Sequence, residues 1–141
     1  MKRHASAVWQ GGLKDGKGTV STDSGVLQST AYSFGTRFEN GKGTNPEELI
    51  AAAHAGCFTM ALSAQLGEKG LVPEKLQTSA TLTFEKVEAG WSVTSIHLAV
   101  NGKVPRADAA AFEQAAHAAK DGCPISRLLK TTITMEAKLE T

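Results

Sequence analysis

Neither sign of charge dominates this chain. Fifteen Lys and Arg stand against fourteen Asp and Glu, scattered along 141 residues, so there is no basic footprint for nucleic acid or for an anionic membrane surface. The partners to expect are small or uncharged molecules, or another protein surface. Cysteine is almost as scarce. Cys57 and Cys123 are the only two, too few for a disulfide scaffold, and in a reducing compartment any bridge between them would be transient and chemical. A secretory leader is missing as well: MKRHASAVWQGG has basic residues but no apolar run behind them, which points to a cytoplasmic protein. No membrane span is expected either. The most apolar stretch, Leu49 to Leu66, is rich in alanine and broken by His54, Thr59, Ser63 and Gln65, which suits a protein core.

With 41% hydrophobic and 21% charged residues, what is present fits one globular domain spanning 1–141. Glycine-rich punctuation (GGLKDGKG, DSG, NGKG) separates short strands expected around Ala7 to Trp9, Thr19 to Ser21 and Tyr32 to Phe38. On the last of these, Tyr32, Phe34 and Phe38 would share one face and Arg37 would project from the other. The two GKGT segments read as turns. A helix start is written in TNPEEL, with Asn45 as N-cap, Pro46 in the first helical position and Glu48 closing a capping box. That helix runs to about Leu66.

Leu76 to Phe84 alternates cleanly as a half-buried strand. Beyond the turn at Ala89 and Gly90, the phase of the next strand slips between Val93 and Ile96, which predicts a bulge near Thr94 and Ser95 in a hairpin. Asp108 caps a further helix ending at Gly122, Pro124 opens a short one, and Ile133 to Leu139 alternate in a final strand. The fold class is α+β, a largely antiparallel sheet packed on a long central helix.

Three chemistries compete. Gly11, Gly16 and Lys17 match a phosphate loop only up to Gly18, which stands where the magnesium-binding hydroxyl belongs, so that segment is a turn. A zinc site from His54, Cys57, His117 and Cys123 has only spacing behind it, with no CxxC or HExxH. Thiol redox chemistry by Cys57 and Cys123 remains open against two structural thiols. In a helix interior Cys57 has no free backbone donor and apolar surroundings, so it needs a cation, for which Arg37 is a candidate, a solvent-facing strand charge being the alternative for that residue. Cys123, between Gly122 and Pro124 at a helix start, is better placed to ionise.

The runs GKGTVSTDSGVL, YSFGTRFENGKGTNPEELIAAAHAGCFTMALS and DGCPISRLLK closely resemble the OsmC branch of the OsmC/Ohr family of hydroperoxide reductases. The resemblance implies the OsmC-like fold and a cysteine-based peroxidase that reduces organic hydroperoxides to alcohols in defence against oxidative or osmotic stress. It implies Cys57 as peroxidatic and Cys123 as resolving cysteine, joined in a disulfide during turnover. Arg37 matches the family's active-site arginine and Glu47 the carboxylate that orients it. It implies no metal or cofactor, an intertwined obligate homodimer, and recycling by an external dithiol, in some members of lipoyl type.

Helix geometry adds a constraint. Ten residues separate Glu47 from Cys57, about 15 Å along a straight helix and about 80° around it. If both serve Arg37, either Glu47 lies off the helix or a second subunit supplies one partner; the second subunit is the expectation. Phe34, Phe38, Phe58, Met60 and Ile125 are candidate pocket walls. The rival readings are a noncatalytic dimer binding an apolar ligand and a redox sensor using the same disulfide.

Overall fold

The computed structural model describes residues 1–140, whose contacts gather into two compact units, one of residues 1–49 and one that begins at Ile50. In the first unit, β1 (Ala5–Gln10), β2 (Lys17–Thr22) and β3 (Thr30–Tyr32) form an antiparallel meander in the order β1-β2-β3. The GKGT segment at Gly16 to Thr19, expected as a turn, instead lies mostly within β2; the turn closes before it, where the Gly16 N–H donates to the Gly12 carbonyl at 2.8 Å. Gly18 pairs with Trp9 on one side and Tyr32 on the other. A Cβ there would come within 2.5 Å of both rings, so glycine is what lets the two aromatics close over β2, their centroids 5.5 Å apart.

The strand expected over Tyr32 to Phe38 is not one strand. It stops at Tyr32, and α1 (Phe34–Phe38) follows at once. Ser33 explains the switch: its hydroxyl accepts from the Thr36 N–H at 3.3 Å while the Thr36 hydroxyl accepts from the Ser33 N–H at 2.8 Å, a reciprocal cap that stabilises helix over strand. Arg37 therefore does not point away from Phe34 and Phe38.

Helix α2 (Pro46–Glu68) begins as expected, Asn45 Oδ1 accepting from the Glu48 N–H at 2.7 Å. The Glu48 side chain departs from the expected box, for it accepts from the Thr44 hydroxyl at 2.8 Å. Among the described residues α2 is the one helix long and apolar enough to cross a membrane by length and composition. Within the second unit, however, it sinks Phe58, Leu62 and Leu66 fully into a protein core.

That core is built against a second sheet, β4 (Lys75–Val87), β5 (Gly90–Lys103) and β6 (Thr132–Leu139), in the order β4-β5-β6. The architecture is α+β with two three-stranded sheets where one was expected, and β6 lies parallel to β5. Strands β4 and β5 form the antiparallel hairpin, with the bulge where the phase slip put it: Thr83 pairs with Ser95 and Phe84 with Val93, leaving Thr94 as the extra residue. Ile96, Leu98 and Val100 of β5 are buried in the same core as Phe112, Ala115, Ala116 and Ala119 of α3 (Ala109–Gly122). Asp108 caps α3, its carboxylate accepting from the Ala111 N–H at 2.7 Å. Cys123 ends α3, and Pro124 opens α4 (Pro124–Leu128).

Candidate active site

The candidate residues fall in two clusters, one in each unit. In the first, α1 presents Arg37 and the opening turn of α2 presents Glu47. The Arg37 Nε and Nη2 both donate to Glu47 Oε1 at 2.8 Å. A guanidinium held by two of its donors has its plane fixed, which a lysine could not reproduce. Glu47 is almost wholly buried, and its second oxygen, Oε2, has no hydrogen-bond partner among the described residues. The pair is therefore poised to accept one more donor.

Arg37 also opens on a cavity of about 290 Å³ lined by Trp9, Leu13, Tyr32, Ser33, Phe34 and Phe38. The Phe34 and Phe38 ring centroids lie 4.8 Å apart, and the Arg37 guanidinium carbon sits 5.5 Å from the Phe38 ring centre. A fixed cation at the edge of an aromatic cavity suits an apolar molecule with one polar end. Of the pocket walls expected from sequence, Phe34 and Phe38 are here. Phe58 is a core residue, Ile125 is half-buried against that core, and Met60 is 78% exposed. Trp9, Leu13 and Tyr32 were not anticipated, since only the pairing of β1 with β2 and of β2 with β3 brings them together.

In the second cluster the two cysteines meet. Cys57, half-buried on α2, and Cys123, buried at the junction of α3 and α4, are both free thiols with their sulfurs 2.9 Å apart. Cys123 donates when both are protonated; once it ionises, Cys57 becomes the donor. The two are unequal. Burial pushes the Cys57 thiol up, and the hydrogen bond with Cys123 adds to this, against a smaller downward pull from the Ile125 N–H. Burial also acts to raise Cys123, but hydrogen bonds from Cys57, from the Ser126 N–H and hydroxyl and from the Ile125 N–H outweigh it, so its thiol is more acidic than an ordinary cysteine.

His54 is not an exposed helix residue. It is fully buried, its Nε2 is 2.7 Å from the Ser126 hydroxyl, and burial lowers its pKa. His117 lies exposed on α3, 3.9 Å from Glu113, and no three metal-ligating side chains gather among the described residues. The four residues of the zinc alternative are therefore not brought together. Sequence reading passed over Ser126, which is buried in α4 and meets His54 across 72 residues of chain.

The family model described as OsmC-like protein matches residues 39–138. The chain is 50% identical to the Escherichia coli protein named peroxiredoxin OsmC, over 99% of this chain and 98% of that one. It is 27% identical to the organic hydroperoxide resistance protein OhrB of Bacillus subtilis, over 87% and 89%. The crystal structure of OhrB superposes with a TM-score of 0.72 over 97% and 98% of the two chains, at 25% identity. An OsmC-like protein from Mycoplasma pneumoniae, 16% identical, shares the fold with a TM-score of 0.78 over 100% and 99%.

Proposed function

The chain belongs to the OsmC-like protein family, and from that premise we propose that it is a cysteine-based peroxidase that reduces organic hydroperoxides to alcohols and serves in peroxide defence. The observation that carries the reading is the pair of reduced thiols 2.9 Å apart, one of them with a thiol pKa that burial raises. A redox centre of this kind needs a cation to make Cys57 a nucleophile, and Arg37, oriented by Glu47, is the residue for that role.

Cys57, held as thiolate, attacks the nearer peroxide oxygen; the O–O bond breaks, the sulfur is oxidised to sulfenic acid, and the alkoxide takes a proton to leave as the alcohol. Donors on the guanidinium stabilise the charge developing on the leaving oxygen. Cys123 then displaces hydroxide from the sulfenic sulfur to form the disulfide before further oxidation, and an external dithiol, of lipoyl type in our reading, restores both thiols by exchange. The cavity beside Arg37 supports an apolar rather than a small hydrophilic peroxide.

The chain acts as an obligate homodimer in the cytoplasm, each site combining Cys57 and Cys123 of one protomer with Arg37 and Glu47 of its partner. Two facts support this. Glu47 belongs to helix α2, ten residues before Cys57, which supports a second subunit as the source of one of the partners of Arg37. The face of α2 that carries Ala52, Ala53, Gly56, Met60 and Ala64 is exposed although it is apolar, as expected of a surface that a second copy covers.

Consumption of a bulky aryl hydroperoxide with a dithiol reductant tests the reading. The wild-type chain is expected to turn over, Cys57→Ser to lose activity at least about a thousandfold, and Cys123→Ser to react once and stall. Wild-type turnover by Cys57→Ser would overturn the mechanism. A disulfide that forms once without turnover in any protein would favour the redox-sensor reading.

A further inference from the structure

His54 is a fully buried side chain that the peroxide chemistry does not use. Its Nε2 lies 2.7 Å from the Oγ of Ser126, which is itself buried. Its Nδ1 is buried with no hydrogen-bond partner among the described residues, so the ring is held there by the bond to Ser126 alone.

The spacing of this pair matches that of the cysteines. His54 precedes Cys57 by three residues on α2, which puts the two side chains on one face of that helix. Ser126 follows Cys123 by three, so these two stand about one turn apart at the start of α4. The same two segments are therefore joined twice, imidazole to hydroxyl at 2.7 Å and sulfur to sulfur at 2.9 Å.

The segment that carries Cys123 has little else to fix it. Helix α4 has five residues, too few to be stable by itself. Cys123, at its N-cap, makes no side-chain capping bond, and Pro124 brings no N–H. Arg127 and Leu128 are exposed. Ile125 packs half-buried on the core, a contact without direction. Among the described residues Ser126 is the one side chain of α4 that hydrogen-bonds to another element, and a buried hydrogen bond fixes both distance and angle.

We propose that His54 and Ser126 form a clamp that holds α4 in register on α2, and that both are positioning residues for closing the Cys57–Cys123 disulfide. That this disulfide resolves a sulfenic acid rests on the peroxidase reading; the clamp does not. In the resolving step Cys123 gives up its proton, its thiolate attacks the sulfenic sulfur of Cys57, the S–S bond forms as the S–O bond breaks, and the departing hydroxide takes a proton to leave as water. In the reduced protein the clamp orders Cys123 before the bond forms; in the oxidised protein the S–S bond itself ties the two segments. Without the clamp, disulfide formation must supply that order, and the effective concentration of one sulfur at the other falls.

Equilibrating the purified chain with mixtures of reduced and oxidised glutathione, and counting the Cys57–Cys123 disulfide by mass spectrometry after acid quenching, tests the clamp without any peroxide. Ser126→Ala and His54→Leu are each expected to lower the effective concentration about tenfold, which raises the reduction potential of the pair by about 30 mV. The double variant should lose no more than either single one, because both remove the same bond. His54→Gln, whose amide can donate or accept where Nε2 stood, is expected to stay near wild type. Lost packing alone would lower the thermal stability of both redox forms and leave their ratio unchanged. A ratio unmoved by Ser126→Ala overturns the proposal, as does His54→Gln behaving like His54→Leu or a double variant with twofold additive loss in the logarithm. Ser126→Ala decides alone if His54→Leu does not fold, because it removes a single atom. A shifted ratio together with a wild-type chain that consumes no hydroperoxide would leave the clamp standing and remove the peroxidase reading; turnover with an unshifted ratio would remove the clamp alone.

Discussion

In the proposed mechanism Cys57 takes its reactivity from its surroundings. Its own protein environment disfavours the thiolate, first by burial and then through the hydrogen bond with Cys123, so the charge must be supported by a cation that stays ionised when desolvated. The sign of the pH effect follows. A thiol with a raised pKa is protonated at neutral pH and becomes nucleophilic only as pH climbs through that raised value, whereas a nearby guanidinium brings the useful range down. Stopped-flow oxidation of Cys57 should therefore show Arg37→Ala slower by roughly a hundredfold at pH 7, with part of the loss recovered as pH rises. A flat pH profile in that variant would mean that Arg37 does not act on the Cys57 thiol.

At the scale of elements, the cavity beside Arg37 depends on a residue with no side chain. Gly18 at the centre of β2 lies under Trp9 and Tyr32, and a methyl group there would meet both rings at 2.5 Å. Gly18→Ala is expected to push them apart, destabilise the first sheet by about 1–3 kcal/mol in denaturant unfolding, and raise KM for a bulky hydroperoxide more than it lowers kcat. Unfolding and KM both unchanged would show that the rings have room elsewhere. Elements also show where local sequence reading goes astray. The segment from Tyr32 to Phe38 alternates well enough for a strand, but the reciprocal Ser33 and Thr36 cap satisfies the backbone as helix. The bulge at Thr94, by contrast, was visible as a phase slip, because alternation has a period of two and one extra residue must invert it.

For the whole molecule, the exposed face of α2 makes the strongest demand. Small residues along it allow close approach of another element, and Met60 stands 78% exposed in their midst. Light scattering on the purified chain is expected to give twice the 14.8 kDa chain mass. Met60→Glu, which would place an unpaired charge in the contact, should weaken the dimer at least about a hundredfold and lower peroxidase activity in proportion to dissociation. A fully active monomer would remove the shared-site arrangement.

Taken alone, the sequence determined the things that depend on local chemistry and periodicity: the Asn45 and Asp108 caps, the long helix, the hairpin with its bulge and the last strand; residue type pointed to Cys57, Cys123 and Arg37 as candidates, and only the family resemblance pointed to Glu47. These are readable because caps, alternation and residue type act over a few positions. Only the tertiary structure decided that the strands divide between two sheets with β6 parallel to β5, that Arg37 shares a cavity with Trp9, Leu13 and Tyr32, and that His54 meets Ser126 across 72 residues of chain. Strand order and side-chain meetings over such distances are set by packing, which offers many nearly equivalent pairings to a local pattern and resolves them only when the core closes.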